Sequence, residues 1–477
     1  MTSSLAAAFP PLEPASEPMA PVDVAWLRMD EPNNLMQING VIVFDGSVDF
    51  GRIRELVAAR LGRIRRFRQR VVEEGGRFTW REARDFDIDN HLVLETLPEP
   101  GGKAGLQRLI SELMSQPLDR AHPLWKFHIV ENYEGGTAVF GRLHHAIGDG
   151  VALMLVILSL CDLAPKGPPA AEAVDETPEP LPGELADLFG RPLDSLAAFR
   201  RLAEEVMPDT MRLLMHPVEA MRQTSAVLRG AAAVGSFGRL VTYPPDARTK
   251  FKGPLVLEKL ADWTEPIDVE EVKKIGRGLG GTINDVLLTA TAGALRRYLV
   301  RHGEPEETLS VRAVVPVNLR PIEKMSELGN RFGLVFLGLP VGIPDPIRRL
   351  AELRRRAEAL KRSAQPLVAY GILHAMGLSP LAVQKLVVRM FGSKATAVMT
   401  NVPGPRRVLY FAGRPIEDLF FWVPQSGRLG LGVAICSYRG RARVGFATDA
   451  GLVPDPQEII RGFQDEYAEL RSRVNLD

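Results

Sequence analysis

Apolar positions along the chain fall into two runs of mixed strand and helix spacing, separated by a stretch that has neither. In the first run, Val41, Ile42 and Val43 give Met36–Phe44 the β-branched character of a strand. Phe50–Leu61 has helical spacing, Val71–Arg81 and Phe86–Val93 read as strand or loop, Leu106–Gln116 as a helix and Lys126–Glu131 as a strand. Thr137–His145 is a strand that leads into a buried helix, Gly150–Leu163. The second run starts near Lys252. Val269, Val272, Ile275 and Leu279 mark an amphipathic helix closed by Gly280 and Gly281. Thr282 starts a helix that reaches about Arg301. Leu309–Pro316, Gly333–Val341, Thr396–Asn401, Gly430–Tyr438 and Ala442–Thr448 read as strands, Pro346–Arg362 as a basic amphipathic helix and Pro456–Val474 as the closing one.

Between the runs, Pro165, Pro168, Pro169, Pro178, Pro180 and Pro182 punctuate an acidic, Ala-rich segment that cannot bury enough apolar surface to order itself. From Leu185 to Leu240 helical spacing returns, with Leu193, Leu196, Phe199, Leu202 and Val206 on one face. That face suits packing on the rest of the protein or lying in a lipid interface. Residues 1–20, broken by Pro10, Pro11 and Pro14, are expected to be disordered. The predicted architecture is α/β (α+β): one lobe over 21–164 and a second over 246–477, each a mixed sheet flanked by helices, joined by a Pro-rich and helical linker over 165–245.

The 477 residues amount to about three domain-sized units. With 45% apolar and 25% charged residues, the composition is that of an ordinary globular protein able to bury a large core. A formal net charge of +1 excludes the basic surplus of a nucleic-acid binder. Arg63, Arg65, Arg66, Arg68 and Arg70 form the densest basic cluster, and its expected role is a solvated face rather than an anion site. Cys161 and Cys436 are isolated in apolar runs, so no disulfide framework or zinc spacing exists and a reducing cytosol fits. The N-terminus lacks the basic start of a signal peptide. The longest apolar runs, Val151–Cys161 and Phe332–Pro344, fall short of the roughly 20 residues that span a bilayer. Any membrane contact is therefore expected to be peripheral.

The strongest chemical signal is His144-His145-Ala146-Ile147-Gly148-Asp149-Gly150, where a strand ends and a helix begins. Neighbouring side chains on a strand point to opposite faces, so one histidine of the pair can face a channel. An imidazole, with an ordinary pKa of about 6.5, can take up a proton near neutral pH. Asp149 stands at the N-cap of the following helix, where it can also meet an arginine; Arg320 is the expected partner. Thr282-x-x-Asp285 has the form of a helix start with an acidic residue in its first turn. Gly276-x-Gly278-x-x-Gly281 matches a dinucleotide fingerprint in letters only, because it follows a helix and Arg301 stands where the acidic ribose ligand belongs. Neither a Walker motif nor a G-x-S-x-G elbow is present.

The His-His run resembles that of the CoA-dependent acyltransferase superfamily, which includes chloramphenicol acetyltransferase and peptide-synthetase condensation domains. Further elements narrow the match: Pro21-Val22-Asp23 with Trp26-Leu27, Phe86-Asp87-Ile88-Asp89-Asn90-His91, Pro117-Leu118-Asp119-Arg120 followed by Pro123-Leu124-Trp125, Lys252-Gly253-Pro254-Leu255 and Gly280 to Val286. Pro316-Val317-Asn318-Leu319-Arg320, Gly329-Asn330-Arg331 and Thr400 to Pro405 continue the series in order. Together they resemble the bacterial wax ester synthase/diacylglycerol acyltransferase family. Two places depart from its pattern, Lys259-Leu260-Ala261 and Pro424-Gln425-Ser426-Gly427, and they bear on acceptor preference.

The resemblance implies two chloramphenicol-acetyltransferase-like lobes with a channel between them. It implies His145 as general base, His144 beside it, and support of the site by Asp149, Gly150, Asn284 and Asp285, with Asn318, Asn401 and Asn284 open as oxyanion donors. The implied donor is long-chain acyl-CoA, a co-substrate; no other cofactor and no metal is expected. The implied acceptor is diacylglycerol or a fatty alcohol, and the expected setting is cytoplasmic, peripheral on the inner membrane or on lipid inclusions. Acyl transfer to another hydroxyl, or a non-catalytic lipid-binding role, are the alternatives that stay open.

Overall fold

The computed structural model describes residues 16–165, 238, 240, 242–304, 307–320, 328–361 and 363–475. Its first elements are strand β1 (Ser16–Pro18) and helix α1 (Pro21–Met29). β1 pairs with the strand Arg77–Glu82, and Met19 is buried, so residues 16–20, expected to be disordered, are ordered. The first lobe continues with β2 (Gln37–Phe44), α2 (Phe50–Arg60), the hairpin β3 (Gln69–Glu74) and β4 (Arg77–Glu82), β5 (Leu92–Thr96), α3 (Lys103–Met114), β6 (Trp125–Tyr133), β7 (Gly136–His144) and α4 (Gly150–Ser159). The second holds β8 (Lys259–Trp263), β9 (Ile267–Asp268), α5 (Val269–Gly278), α6 (Ile283–Arg301), β10 (Val311–Asn318), β11 (Phe332–Leu339), α7 (Pro346–Lys361), α8 (Gln365–Leu378) and α9 (Leu381–Gly392). It ends with β12 (Ala397–Pro403), β13 (Tyr410–Phe411), β14 (Arg414–Trp422), β15 (Leu431–Tyr438), β16 (Arg441–Asp449) and α10 (Pro456–Ser472).

Three sheets organise these elements: β1-β4-β3, a six-stranded sheet β13-β14-β2-β7-β6-β5, and a seven-stranded sheet β11-β10-β12-β15-β16-β8 with β9 beside β16. The lobes are therefore not contiguous in sequence. β14 leaves the second half of the chain and pairs antiparallel with β2, Phe421 opposite Gly40. Placing the whole of 246–477 in one lobe needs that correction.

Alternation decides what each face of the six-stranded sheet meets. Val41, Phe140, Phe420 and Trp422 pack on α3 and on Trp263 of β8, which closes the joint between the lobes. Ile38, Ile42, Val139, Leu143, Leu419 and Phe421 point the other way and share a core with α4 and α1. The arginine cluster is not a solvated face: Arg68 is buried and bonds Glu82 at 2.8 Å, and the Arg66 guanidinium lies 4.2 Å from the Trp80 ring centre. Of the glycines in the Gly276–Gly281 run, Gly276 and Gly278 close α5 and Gly281 lies in the turn before the next helix.

α8 packs on α1 at close range. A Cβ on Gly377 would fall 1.6 Å from the Pro21 carbonyl oxygen, which belongs to backbone and cannot swing away. Gly377→Ala is therefore expected to lower stability by about 1–3 kcal/mol, the cost of overpacking, despite alanine's better helix propensity. Chemical denaturation would show it as a lower midpoint at unchanged slope.

The Pro-rich segment 165–184, apart from Pro165, and the apolar face Leu193, Leu196, Phe199, Leu202 and Val206 lie outside the described residues. Among the described residues, no helix is long and apolar enough to cross a membrane.

Candidate functional site

β7 is buried along its whole length, and its last residue is His144. Just beyond it, the His145 amide donates to the Met36 carbonyl at 2.8 Å, while the His144 amide donates to the Leu124 carbonyl at 2.9 Å. The two backbones are thereby fixed and the two rings diverge. The His145 imidazole stacks on Trp26, centroids 4.0 Å apart and planes 12° from parallel, with the Phe332 ring 5.6 Å away. Trp26 comes from α1 and Phe332 opens β11, so both lobes contribute to this setting.

Hydrogen bonds assign the two imidazoles opposite tautomers. Asn330 orients its side-chain nitrogen toward two acceptors, the Asp23 carboxylate and the His145 carbonyl, each at 2.8 Å. Its oxygen therefore faces His145 Nδ1, 2.9 Å away, and an amide oxygen can only accept. Nδ1 carries the proton and Nε2 keeps its lone pair. At His144 the reverse holds: Nδ1 accepts the Ala146 amide at 3.0 Å, which puts the neutral ring's proton on Nε2, facing Asp30 at 3.7 Å. Arg120, in the Pro117–Arg120 run, meets the same Asp30 carboxylate at 3.3 Å.

Burial pushes the His145 imidazole down from its ordinary value to about 4, so it is neutral at pH 7. Asp23, enclosed on α1, is pushed the opposite way, up to about 6, by the same loss of water, partly offset by its bond to Asn330. Asp23 and Trp26 lie one turn apart on α1, which is why one helix supplies both the carboxylate behind Asn330 and the ring against His145.

Asp149 is the N-cap of α4: its Oδ1 accepts the Ala152 amide at 2.9 Å. Arg320 grips the same carboxylate through two nitrogens, at 3.2 and 2.9 Å, and both side chains are buried. The Arg331 amide donates to Oδ2 at 3.1 Å and the Asp149 amide to the Gly329 carbonyl at 3.2 Å. Asp149 makes no bond to His145; it ties the histidine loop to residues 329–331, which carry Asn330. Gly150 opens the helix, and a Cβ there would meet nothing within 4 Å.

The other sequence-assigned residues stand apart from this group. Asp285 completes a capping box with Thr282, which uses its carboxylate at the start of α6. Asn284 accepts from Asn401 Nδ2 at 2.9 Å, and Asn318 Oδ1 accepts the Arg320 amide at 2.9 Å. The hydrogen bond between Asn284 and Asn401 does not involve His145 or Asn330. Lys259 pairs with Asp449, and Gln425 braces the Ala447 and Gly430 carbonyls, so the two departures from the family pattern occupy structural positions. His91 stacks on Trp125 at 4.2 Å and bonds its carbonyl, which joins the Phe86–His91 and Pro123–Trp125 runs as one clamp behind β6.

Asp23 and Asn330 are the functional residues whose roles the sequence did not disclose. Both lie in short runs that carry the family resemblance, but they are 307 positions apart and only the fold pairs them.

Comparison with known proteins follows the same outline. A model of the wax ester synthase/diacylglycerol acyltransferase catalytic domain matches residues 19–287, and a model of the WS/DGAT C-terminal domain matches 328–471. A Mycobacterium tuberculosis protein provisionally named as a diacylglycerol O-acyltransferase is 30% identical over 82% of this chain and 82% of its own. Another from the same species, also provisionally so named, is 28% identical over 95% and 96%. Among solved structures, the wax ester synthase/diacylglycerol acyltransferase of Marinobacter aquaeolei VT8 superposes with a TM-score of 0.66 at 21% identity, covering 96% of this chain and 99% of that one. A starter condensation domain of rhizomide synthetase, solved with C8-CoA and Leu-SNAC, gives 0.58 at 13% identity over 96% and 94%.

Proposed function

The chain belongs to the wax ester synthase/diacylglycerol acyltransferase family of acyltransferases, and on that premise we propose that His145 Nε2 is the base that activates a lipid alcohol toward a long-chain acyl-CoA. The alcohol oxygen attacks the thioester carbonyl as Nε2 takes its proton. The tetrahedral adduct then collapses, the C–S bond breaks, and the imidazolium returns the proton to the departing thiolate. Acyl-CoA and alcohol become ester and CoA with no acyl-enzyme. The observation that carries this reading is the Nδ1–H to Asn330 bond, which leaves Nε2 as the basic nitrogen in a ring that burial keeps neutral. His144, with its tautomer reversed, anchors the loop. Asp149 and Gly150 hold the loop's exit, and Asn284 and Asp285 support the second lobe's side. The adduct's oxyanion needs donors. Trp26 Nε1, buried and without a hydrogen-bond partner among the described residues, is an unused donor of this group.

The substrates we propose are acyl-CoA with diacylglycerol or a fatty alcohol, met at a membrane or lipid-inclusion surface on the cytoplasmic side. Condensation-domain relatives of the same fold support the donor, since one was solved with C8-CoA. Radiolabelled hexadecanoyl-CoA given with hexadecanol and, separately, with a diacylglycerol should yield wax ester or triacylglycerol. Label that stays on CoA with both acceptors would end the substrate assignment.

The pH profile is a second test. Only the neutral imidazole can accept the alcohol proton, and burial lowers its pKa toward about 4. Activity is therefore expected to hold as pH falls from 8 to about 6.5 and to decline only below that ordinary histidine value. Measured as kcat/KM, an acid limb centred at or above the ordinary value would contradict a buried, neutral base.

A further inference from the structure

Helices α8 and α9 follow one another across the Ser379-Pro380 turn, and their outer face is apolar and exposed. α8 turns Leu367, Gly371, His374, Ala375 and Leu378 outward, at the three- and four-residue steps of one helical stripe. Beyond the turn, α9 exposes Leu381, Ala382, Val383 and Leu386. Leu378 is 69% exposed and Leu386 68%, more than any other large apolar side chain among the described residues. A lone exposed leucine is ordinary, but a run of them on one face marks a surface that meets something.

Charge narrows what it meets. Over the whole chain bases and acids balance, 59 against 58, yet from Ala359 to Ile416 there are eight lysines or arginines and no aspartate or glutamate. Two of those cations, Lys385 and Arg389, stand exposed one turn apart on α9, on either side of Leu386 in the chain. Two copies of such a face repel each other. An anionic phospholipid bilayer complements it, with phosphate for the cations and hydrocarbon beneath for the leucines. The same two helices are joined to the site. Leu373 and Met376 of α8 share a core with Trp26 and Phe332, and the buried Gln384 side chain of α9 donates to the Ala25 carbonyl at 2.8 Å.

We propose that the outer face of α8 and α9 docks the protein on an anionic phospholipid bilayer, its leucines entering the interface and Lys385 and Arg389 meeting the headgroup phosphates. The inference rests on the lipid-surface reading above for its purpose, though not on His145 being the base. Docking there seats the bilayer against the helices that back onto Trp26 and Phe332, the two aromatic walls of the histidine site.

Flotation of the full-length protein with vesicles tests it. The wild type should float with vesicles of equal parts phosphatidylcholine and phosphatidylglycerol, less with phosphatidylcholine alone, and less as salt is raised. Leu378→Ser with Leu386→Ser, and separately Lys385→Gln with Arg389→Gln, should each weaken partitioning onto the anionic vesicles about tenfold or more. All four side chains are exposed, so circular dichroism and the denaturation midpoint should stay as in the wild type. Leu257→Ser, which trims a comparably exposed leucine outside these helices, should float as the wild type does. A wild type that stays off the anionic vesicles, or helix variants that float as well as the wild type, would overturn the proposal. A concentration-dependent dimer in sedimentation velocity that Leu378→Ser with Leu386→Ser abolishes would give the face to a second copy and overturn it equally. Flotation needs no turnover, so a protein inactive toward every alcohol would leave the docking result standing, and an active enzyme that floats with neither vesicle would remove the docking face alone.

Discussion

His145→Ala is expected to lower acyl transfer by at least about 10²-fold, the usual worth of a positioned general base. The loss should appear in kcat, with acyl-CoA binding retained, because in the proposed mechanism the ring moves a proton from the alcohol to the thiolate and contributes little to ground-state binding of acyl-CoA. Asn330→Ala leaves the imidazole in place and removes the acceptor that holds the proton on Nδ1. Both tautomers then become accessible, and the Asp23 carboxylate loses its amide donor in a buried setting. A loss of roughly 10-fold or more is expected, since wrong-tautomer histidines are strongly impaired bases. Asn330→Ala combined with His145→Ala should be no slower than His145→Ala alone, because the asparagine acts through the ring. His144→Ala should cost less, as that ring's Nδ1 is occupied by the Ala146 amide. A folded His145→Ala protein that turns over within a few-fold of wild type would refute the assignment, and circular dichroism with a denaturation curve decides whether it is folded.

How far the sequence discloses this site depends on the range over which its parts interact. His144, His145 and Asp149 lie within one run of seven letters, and strand alternation and helix capping explain most of their placement without tertiary information. Arg320 follows from a physical demand, since a buried capping carboxylate needs a cation, and the arginine of the Pro316–Arg320 run meets it. Asn330 and Asp23 obey no such local rule. A buried asparagine can satisfy its amide in many ways, and only the approach of α1 to the 329–331 loop gives it a carboxylate on one side and an imidazole on the other.

The fold shows the same division. Elements with a clear period, such as α5 and α6 or the strands β2, β7 and β15, sit within a few residues of their expected bounds. α8 has apolar residues on all sides of its Gln365–Leu378 segment, so no period announces it, and it packs against both α1 and β11. β14, which the sequence pattern does not single out as a strand, falls in the second lobe by its place in the chain, yet it pairs with β2. The Arg63–Arg70 run misleads for a different reason: charge patterning alone does not reveal Glu17, Glu82 and the Trp80 ring, which take these guanidinium groups in.

Removing one partner of the Asp149–Arg320 pair is expected to be the most destabilising change near the site. Arg320→Ala leaves a carboxylate whose side chain is 6% exposed with no cation, facing two backbone amides, from Ala152 and Arg331, that cannot neutralise it. Breaking such a buried pair from one side costs about 3–5 kcal/mol, mostly the penalty of the orphaned charge. Asp149→Asn should also destabilise, by stranding the Arg320 guanidinium, although it can still cap α4. The double variant Arg320→Ala, Asp149→Asn removes both charges and should recover much of the loss, because neither partner is then left as an unpaired buried charge. Activity should fall in the single variants even where the fold survives, since the pair secures residues 329–331 and hence the Asn330 oxygen on His145 Nδ1. Urea denaturation of the four proteins supplies the double-mutant cycle. If Arg320→Ala unfolds at the wild-type midpoint, the pair is not what binds the second lobe's loop to the histidine loop, and Asp149 serves as a helix cap alone.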